Sequence, residues 1–365
     1  MASATAAQPA AGEQNDQYDA KGFWALIVTM FQGAFNDNAY RWVLFYYLAQ
    51  RFADPELGRA TEQVASRLLA FGLLFFAVPF LVFPGLAGAL ADRYSKRTIT
   101  IATKWWEVAV MLVGLFAFYT DNVWFMGLMF FMMNTQSAFF SPAKYGILPE
   151  MLPESRLSWG NGVLQMGTFV AIILGTAVAG PLMQMNINIY LISLFLITCS
   201  VLGLIASQFV TPVPAASPGR FVSVNPWSGL GVYFKTFWGD HLLFLTLLGG
   251  GFFWFLGALA QSNVAVLGES VLGLTETQIS ILSLAMALGI GLGSLAAGYL
   301  SRRRIELGLV PIGVTGMAVC GILLGVPLHS VVIIGLLMFV FGSSGGFFHV
   351  PLAATLQHRL SLIHI

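Results

Sequence analysis

The sequence predicts an all-α polytopic membrane protein, and three observations point there. Of its 365 residues 57% are apolar and 9% charged, where a soluble domain carries roughly 25% charged side chains. The mean hydropathy is +0.80. The apolar residues also fall into ten long segments, each able to cross a hydrocarbon core of ~30 Å as a helix. Helices rather than open strands are expected, because lipid offers a strand's backbone groups no partners.

Residues 1–22 begin Ala- and Gln-rich, with no basic start and no apolar core, so a solvated cytoplasmic tail is expected rather than a signal peptide. The ten spans follow at about 23–48, 68–91, 98–119, 123–143, 157–184, 186–211, 242–267, 279–300, 307–328 and 331–356. From Leu157 to Gly219 no charged residue occurs. That stretch is too long for one span, and the polar run Gln184-Met185-Asn186-Ile187-Asn188 is the expected turn. Residues 212–240 open with Pro, Ser and Gly, which cannot continue a helix, and read as a linker between a six-helix bundle (23–211) and a partial four-helix bundle (241–360). Residues 361–365 look unlike the start of a natural loop, and a non-native end, with two helices missing, is expected.

Basic residues set the orientation. With a cytoplasmic N-terminus, the inner segments hold Lys21, Arg93, Lys96, Arg97, Lys144, Arg156, Arg220, Lys235, Arg302, Arg303, Arg304 and Arg359, whereas the outer loops hold only Arg51, Arg59 and Arg67. Arg41 and Lys104 lie within spans. A net charge of +1 leaves no basic surplus for a nucleic-acid partner. Cys199 and Cys320 sit in apolar runs, and the five histidines are scattered, so neither a disulfide framework nor a metal site is expected. No phosphate-binding Gly-rich loop and no nucleophile set is visible, so no cofactor and no enzymatic activity are expected in this chain.

The two halves share a pattern. Gly88-Ala-Leu-Ala-Asp92-Arg93 matches Gly298-Tyr-Leu-Ser-Arg302-Arg303 at an offset of 210 residues. Phe139-Phe140-Ser-Pro142 matches Phe347-Phe348-His-Val-Pro351 at 208 for the Phe pair and 209 for the Pro. Duplicated six-helix halves follow.

Charges at membrane depth are the candidate functional groups, since each costs roughly 2.5–3.5 kcal/mol on the insertion scale and normally faces a bundle interior. Asp37 and Arg41 are four residues apart, on one helical face. They read as a polar floor for a headgroup, as a self-neutralising structural pair, or with Arg41 snorkelling outward. Lys104 and Glu107, beside Trp105 and Trp106, either line a cavity or let Lys104 snorkel to the interface. Asn134, Gln136, Asn161 and Gln165 read chiefly as interhelical glue, and His349 as a satisfied core histidine. From Lys235 to Arg302 no Lys or Arg intervenes, so polar groups cluster in the first half, and an asymmetric site suited to an amphiphile is expected.

The loop Gly88-x-x-x-Asp92-Arg93-x-Ser95-Lys96-Arg97 resembles the signature loop of the major facilitator superfamily, with Ser95 in place of its second glycine. The resemblance implies two six-helix halves and makes Gly88, Asp92, Arg93, Lys96 and Arg97 candidate gating residues, with Gly88 allowing close backbone approach; the alternative is a plain positive-inside anchor. Phe35-Asn36-Asp37-Asn38, Phe140-Ser-Pro-Ala-Lys144-Tyr145-Gly146 and Gly345-Gly-Phe-Phe-His-Val-Pro-Leu352 through Gln357 together resemble the bacterial lysophospholipid transporter family.

That resemblance implies a multi-pass protein of the bacterial cytoplasmic (inner) membrane. It would move lysophospholipid, chiefly lysophosphatidylethanolamine, from the outer to the inner leaflet by alternating access. A cytosolic or fused acyltransferase and acyl-carrier-protein synthetase would then reacylate it. The implied substrate-binding residues are Asp37, Asn38 and Lys144; Arg41, Lys104, Glu107 and Gln165 join them on their intramembrane position. Gln261 and Gln165 depart from the family, some members of which carry an Arg and an acidic residue there. A generic efflux or metabolite transporter of the same superfamily, or the membrane half of a bifunctional acyltransferase, are the alternatives.

Overall fold

The computed structural model describes residues 18–52, 72–185, 187–219, 230–266, 272–301, 304–326 and 330–364, with 222, 225, 268 and 328 as isolated positions. The tail 1–17, Arg59, Arg67, Asn186, Arg220, Arg302 and Arg303 therefore lie outside the described residues, as does most of 220–229 in the expected linker.

The described residues form helices and no strand. They are α1 (Ala20–Phe52), α2 (Gly72–Val82), α3 (Pro84–Arg93), α4 (Lys96–Tyr119), α5 (Val123–Gly146), α6 (Leu148–Met151), α7 (Glu154–Gln184), α8 (Ile189–Ser207), α9 (Leu230–Gly239), α10 (His241–Val266), α11 (Glu276–Leu300), α12 (Leu309–Leu324) and α13 (Val331–His364). Seven of these are long and apolar enough to cross a membrane, and the pair α2–α3 adds an eighth as one span bent by 46°. The bend falls at Pro84, whose ring nitrogen has no hydrogen to donate. α12 is apolar but 16 residues long. α1 occupies the first expected span, diluted by Gln32, Asn36, Asp37, Asn38 and Arg41.

Local chemistry fixes the breaks. Asn122 caps α5 by accepting from the amides of Trp124 and Phe125 at 2.9 and 3.3 Å, and Asn188 caps α8 through Tyr190 at 2.9 Å, closing the expected turn. Thr275 and Gln278 form a reciprocal capping box at the start of α11. The repeated prolines, Pro142 and Pro351, both lie inside helices, α5 and α13. The last span runs on through His364, beyond the expected 356.

Among the described residues three large cores, and a small one of Ala297, Leu309 and Val350, hold the bundle. Tyr40, Met111, Met126, Met129, Met133 and Ile192 pack α1, α4, α5 and α8 together. Phe23, Leu26, Ile147, Leu148, Leu157 and Val213 pack α1 against α6, α7 and the segment after α8. Phe253, Met286, Met317, Ile334, Met338 and Phe348 join α10 to α13. α11 and α13 cross so closely that a Cβ on Gly289 or Gly293 would lie 2.1 and 2.2 Å from the carbonyl oxygens of Phe339 and Ser343. Without interhelical hydrophobic drive in lipid, such close backbone packing is what joins helices.

Other than the charges inside α1 and α4, several charged side chains sit at the two ends. At one end Lys96 pairs with Glu150, Arg97 donates to the Gln208 carbonyl at 2.6 Å, and the Ser217 amide donates to the Asp92 carbonyl at 2.8 Å. At the other, Arg51 pairs with Asp121, which also accepts from the Tyr47 hydroxyl at 2.9 Å. The loop 88–97 is thus tied to α6, to the end of α8 and to the segment after it. Gly88 itself corrects an expectation: a Cβ there would meet nothing within 4 Å among the described residues, so no close approach is made there.

Candidate functional site

Three helices of the first half, α1, α4 and α8, bring together a buried polar knot. Lys104 and Glu107 lie one turn apart on α4, 0% and 2% exposed, with Lys104 Nζ 2.6 Å from Glu107 Oε2. Gln32 on α1 accepts from Lys104 at 2.8 Å through Oε1 and donates to Glu107 Oε1 at 2.9 Å through Nε2. Asn36, one turn further along α1, donates to Glu107 at 3.3 Å and to Ser200 Oγ on α8 at 2.8 Å. The Phe140 ring closes over the ammonium, 5.6 Å from Nζ. Gly33 and Gly203 make the room: a Cβ there would stand 2.8 Å from Lys104 Nζ and 1.8 Å from Gln32 Oε1.

Lys104 therefore does not snorkel, and that alternative is overturned. Its ammonium would have to abandon an ion pair and an amide to reach the interface, and an unpaired buried carboxylate would remain. Gln32, Ser200, Gly33 and Gly203 were not singled out from the sequence. The only trace was Gln32 at i−4 from Asn36, which places both on the face that meets α4.

A second set lies beside this knot. Asp37, half-buried, accepts from the Ser137 hydroxyl of α5 at 2.6 Å through Oδ2, while Oδ1 has no partner among the described residues. Arg41 stacks its guanidinium over Phe76 of α2 at 4.8 Å, and its Nε is likewise unpartnered. No hydrogen bond or ion pair among the described residues joins Asp37 to Arg41, so the two are linked through charge attraction across one turn of α1 rather than by direct contact. Asn38 is turned back on its own helix, donating to the Ala34 carbonyl at 2.7 Å. On α5, Lys144 Nζ lies 3.5 Å from Thr168 Oγ1 of α7 and 5.2 Å from the Tyr145 ring. Gln165, 4% exposed, leaves Nε2 without a partner.

The polar amides divide. Gln136 donates to the Thr103 carbonyl of α4 at 3.0 Å, an interhelical bond as expected, whereas Asn134 bonds only within α5. Asn161 bonds to Gln357 of α13. His349 stacks on Phe253 with centroids 4.4 Å apart, but its Nδ1 has no partner among the described residues, so it is packed without being satisfied. No group of three or more His, Cys, Asp or Glu suited to a metal occurs among the described residues.

The two halves meet along α7. Phe169 enters the core of the second half, and Ser158 and Gly162 abut Gly298 and Ser294 of α11. These contacts lie toward the end that carries the loop 88–97, so the halves are closed there.

Paired helical bundles of this kind, joined at one end and holding charges inside the first bundle, define a membrane transporter. Residues 37–362 match the Major Facilitator Superfamily, and the chain belongs to it. Among its relatives is the lysophospholipid transporter LplT of Yersinia enterocolitica, 28% identical over 344 residues, covering 93% of this chain and 79% of that protein. That of Klebsiella pneumoniae subsp. pneumoniae is 28% identical over 352 residues, 94% and 82% of the two chains. The likeness read from the motifs is thereby borne out. Solved structures agree on the fold. The transporter FucP in its outward conformation superposes with a TM-score of 0.64 at 13% identity, covering 93% of this chain and 90% of that one. A bacterial homologue of the iron transporter ferroportin, outward-facing, gives 0.63 at 17% identity, with 93% and 84% covered.

Proposed function

We propose that the protein carries lysophospholipid of the lysophosphatidylethanolamine type from the outer to the inner leaflet of the bacterial cytoplasmic membrane, for reacylation by a separate or fused acyltransferase. The N-terminus and the loop 88–97 are then cytoplasmic, and transport proceeds by alternating opening of the two halves. The single observation that carries this reading is the set of polar atoms at membrane depth that lack partners among the described residues: Asp37 Oδ1, Arg41 Nε and Gln165 Nε2. A buried unpaired polar group is costly, and a zwitterionic headgroup supplies the missing partners. Its ammonium meets Asp37. Its phosphate meets Arg41, or Lys144 with Gln165. Lys104 and Glu107 already hold each other and act as the frame behind α1 rather than as ligands. The acyl tail stays in the apolar surroundings of the bundles.

In this reading Asp37→Ala abolishes uptake of lysophosphatidylethanolamine by spheroplasts while leaving the amount of inserted protein unchanged. Undiminished uptake at equal insertion defeats the headgroup assignment. Sugar or organic-anion transport with no response to lysolipid would favour a different cargo of the same superfamily.

A further inference from the structure

We infer that Asn161 and Gln357 form the polar latch of the cytoplasmic gate, a pair of side chains that must part each time the transporter opens toward the loop 88–97 side. The inference rests on the alternating-opening part of the proposed function but not on its substrate. The two amides are 196 residues apart in sequence, one on each half, and bond reciprocally: Asn161 Nδ2 donates to Gln357 Oε1 at 2.7 Å and Gln357 Nε2 to Asn161 Oδ1 at 2.9 Å. They are 4% and 8% exposed.

Backbone contact surrounds the pair. A Cβ on Gly162 would lie 2.5 Å from the Ser294 carbonyl, and one on Gly298 would lie 3.0 Å from the Ser158 carbonyl, so no passage runs between α7 and α11. One turn along α7 toward the bilayer centre is Gln165, whose free amide belongs to the proposed headgroup site. At the aqueous rim Glu154 lies 3.5 Å from His358. The latch thus stands between the site and the cytoplasmic face.

Its physics is asymmetric. When the halves part, water replaces both lost hydrogen bonds, so an intact pair adds only modestly to closure. Removing Asn161 strips both bonds from the Gln357 amide, and removing Gln357 leaves Asn161 Oδ1 bare while its Nδ2 keeps the Leu157 carbonyl at 3.0 Å; either way a buried polar atom goes unsatisfied in the closed state alone, which drives the halves apart. Replacing both by leucine removes the polar cost and restores closure.

The test uses the full chain without native thiols (Cys199→Ala, Cys320→Ala) and with Ser158→Cys as the reporter, since Ser158 is 2% exposed in the seam. Inside-out membrane vesicles are exposed to a membrane-impermeant maleimide with no lipid substrate added. Asn161→Leu and Gln357→Leu should each raise the labelling rate about tenfold, and the double leucine variant should return it to the parent rate. The swapped pair Asn161→Gln/Gln357→Asn, which keeps two facing amides, should also remain protected. Unchanged labelling in both single variants overturns the latch, as does labelling in the double variant equal to the product of the two single effects. If a single variant does not yield monodisperse protein, the double and swapped variants decide: rapid labelling in both overturns the latch, and protection in both supports it. Because no lysolipid is present, a failed substrate assignment leaves this outcome unaffected.

Discussion

Lys104 and Glu107 are the residues at which charge and burial are most nearly balanced. Removing the ammonium alone leaves Glu107 enclosed with only two amide donors, and breaking a buried pair from one side costs ~3–5 kcal/mol. Replacing both members by apolar residues of similar volume is often close to neutral. Lys104→Met should therefore lower the thermal unfolding midpoint in detergent sharply, and Lys104→Met/Glu107→Leu should recover most of the loss. A double variant as unstable as the single one would show that the knot stabilises through more than charge balance. Outside the membrane, Asp19 caps the start of α1: its carboxylate accepts from the Gly22 amide at 3.1 Å and from Thr211 Oγ1 at 3.0 Å. The Gly22 and then the Thr211 hydrogen bond hold its pKa below 3.8. A depressed carboxylate contributes stability that is present above the unfolded value and is lost as the pH falls through the folded value. Melts taken from pH 6 down to pH 3 should therefore steepen in the parent and flatten in Asp19→Asn. The charges at 37, 41, 104 and 107 were legible in the sequence because they interrupt apolar runs. Their partners were not: Ser137 lies 100 residues from Asp37, and Ser200 lies 164 from Asn36, and a serine inside an apolar helix carries no mark of what it faces.

Elements were more legible than contacts. Helix positions follow from hydropathy, from the Asn122 and Asn188 caps and from Pro84, and α1 was found despite its polar middle because its flanks remain apolar. Which glycines matter was misjudged. Gly88 stood out through its motif, yet its surroundings are open, whereas Gly293 lies under the Ser343 carbonyl at 2.2 Å from any added Cβ. A backbone oxygen in a packed helix cannot swing aside as a side chain can. Gly293→Ala should therefore force α11 from α13 and cost ~1–3 kcal/mol, as overpacking does. Gly88→Ala, inside α3, should be neutral or stabilise by up to ~1 kcal/mol through helix propensity. Denaturation of the two variants side by side checks this contrast, and equal losses would mean that the motif glycine has a packing role after all.

Across the whole molecule, the duplicated pattern and the asymmetric placement of charge were readable because both are one-dimensional. The seam between the halves was not readable: it depends on Asn161 meeting Gln357 and on α7 lying against α11, pairings that no local pattern encodes. The resulting arrangement has a closed loop-side end, a polar knot behind α1, and groups at Asp37, Arg41 and Gln165 without partners among the described residues. In the proposed function these groups await a ligand bringing both charges. The most direct measurement is the shift in thermal unfolding midpoint of the purified protein on adding lysophosphatidylethanolamine, compared with diacyl phosphatidylethanolamine, since a ligand that binds only the folded state stabilises it by ~2.7 kcal/mol at a hundred times its Kd. The account predicts a clear rise with the lysolipid for the parent and for Lys104→Met/Glu107→Leu, and none for Asp37→Ala. An equal rise in Asp37→Ala, or an equal rise with the diacyl lipid, would contradict it.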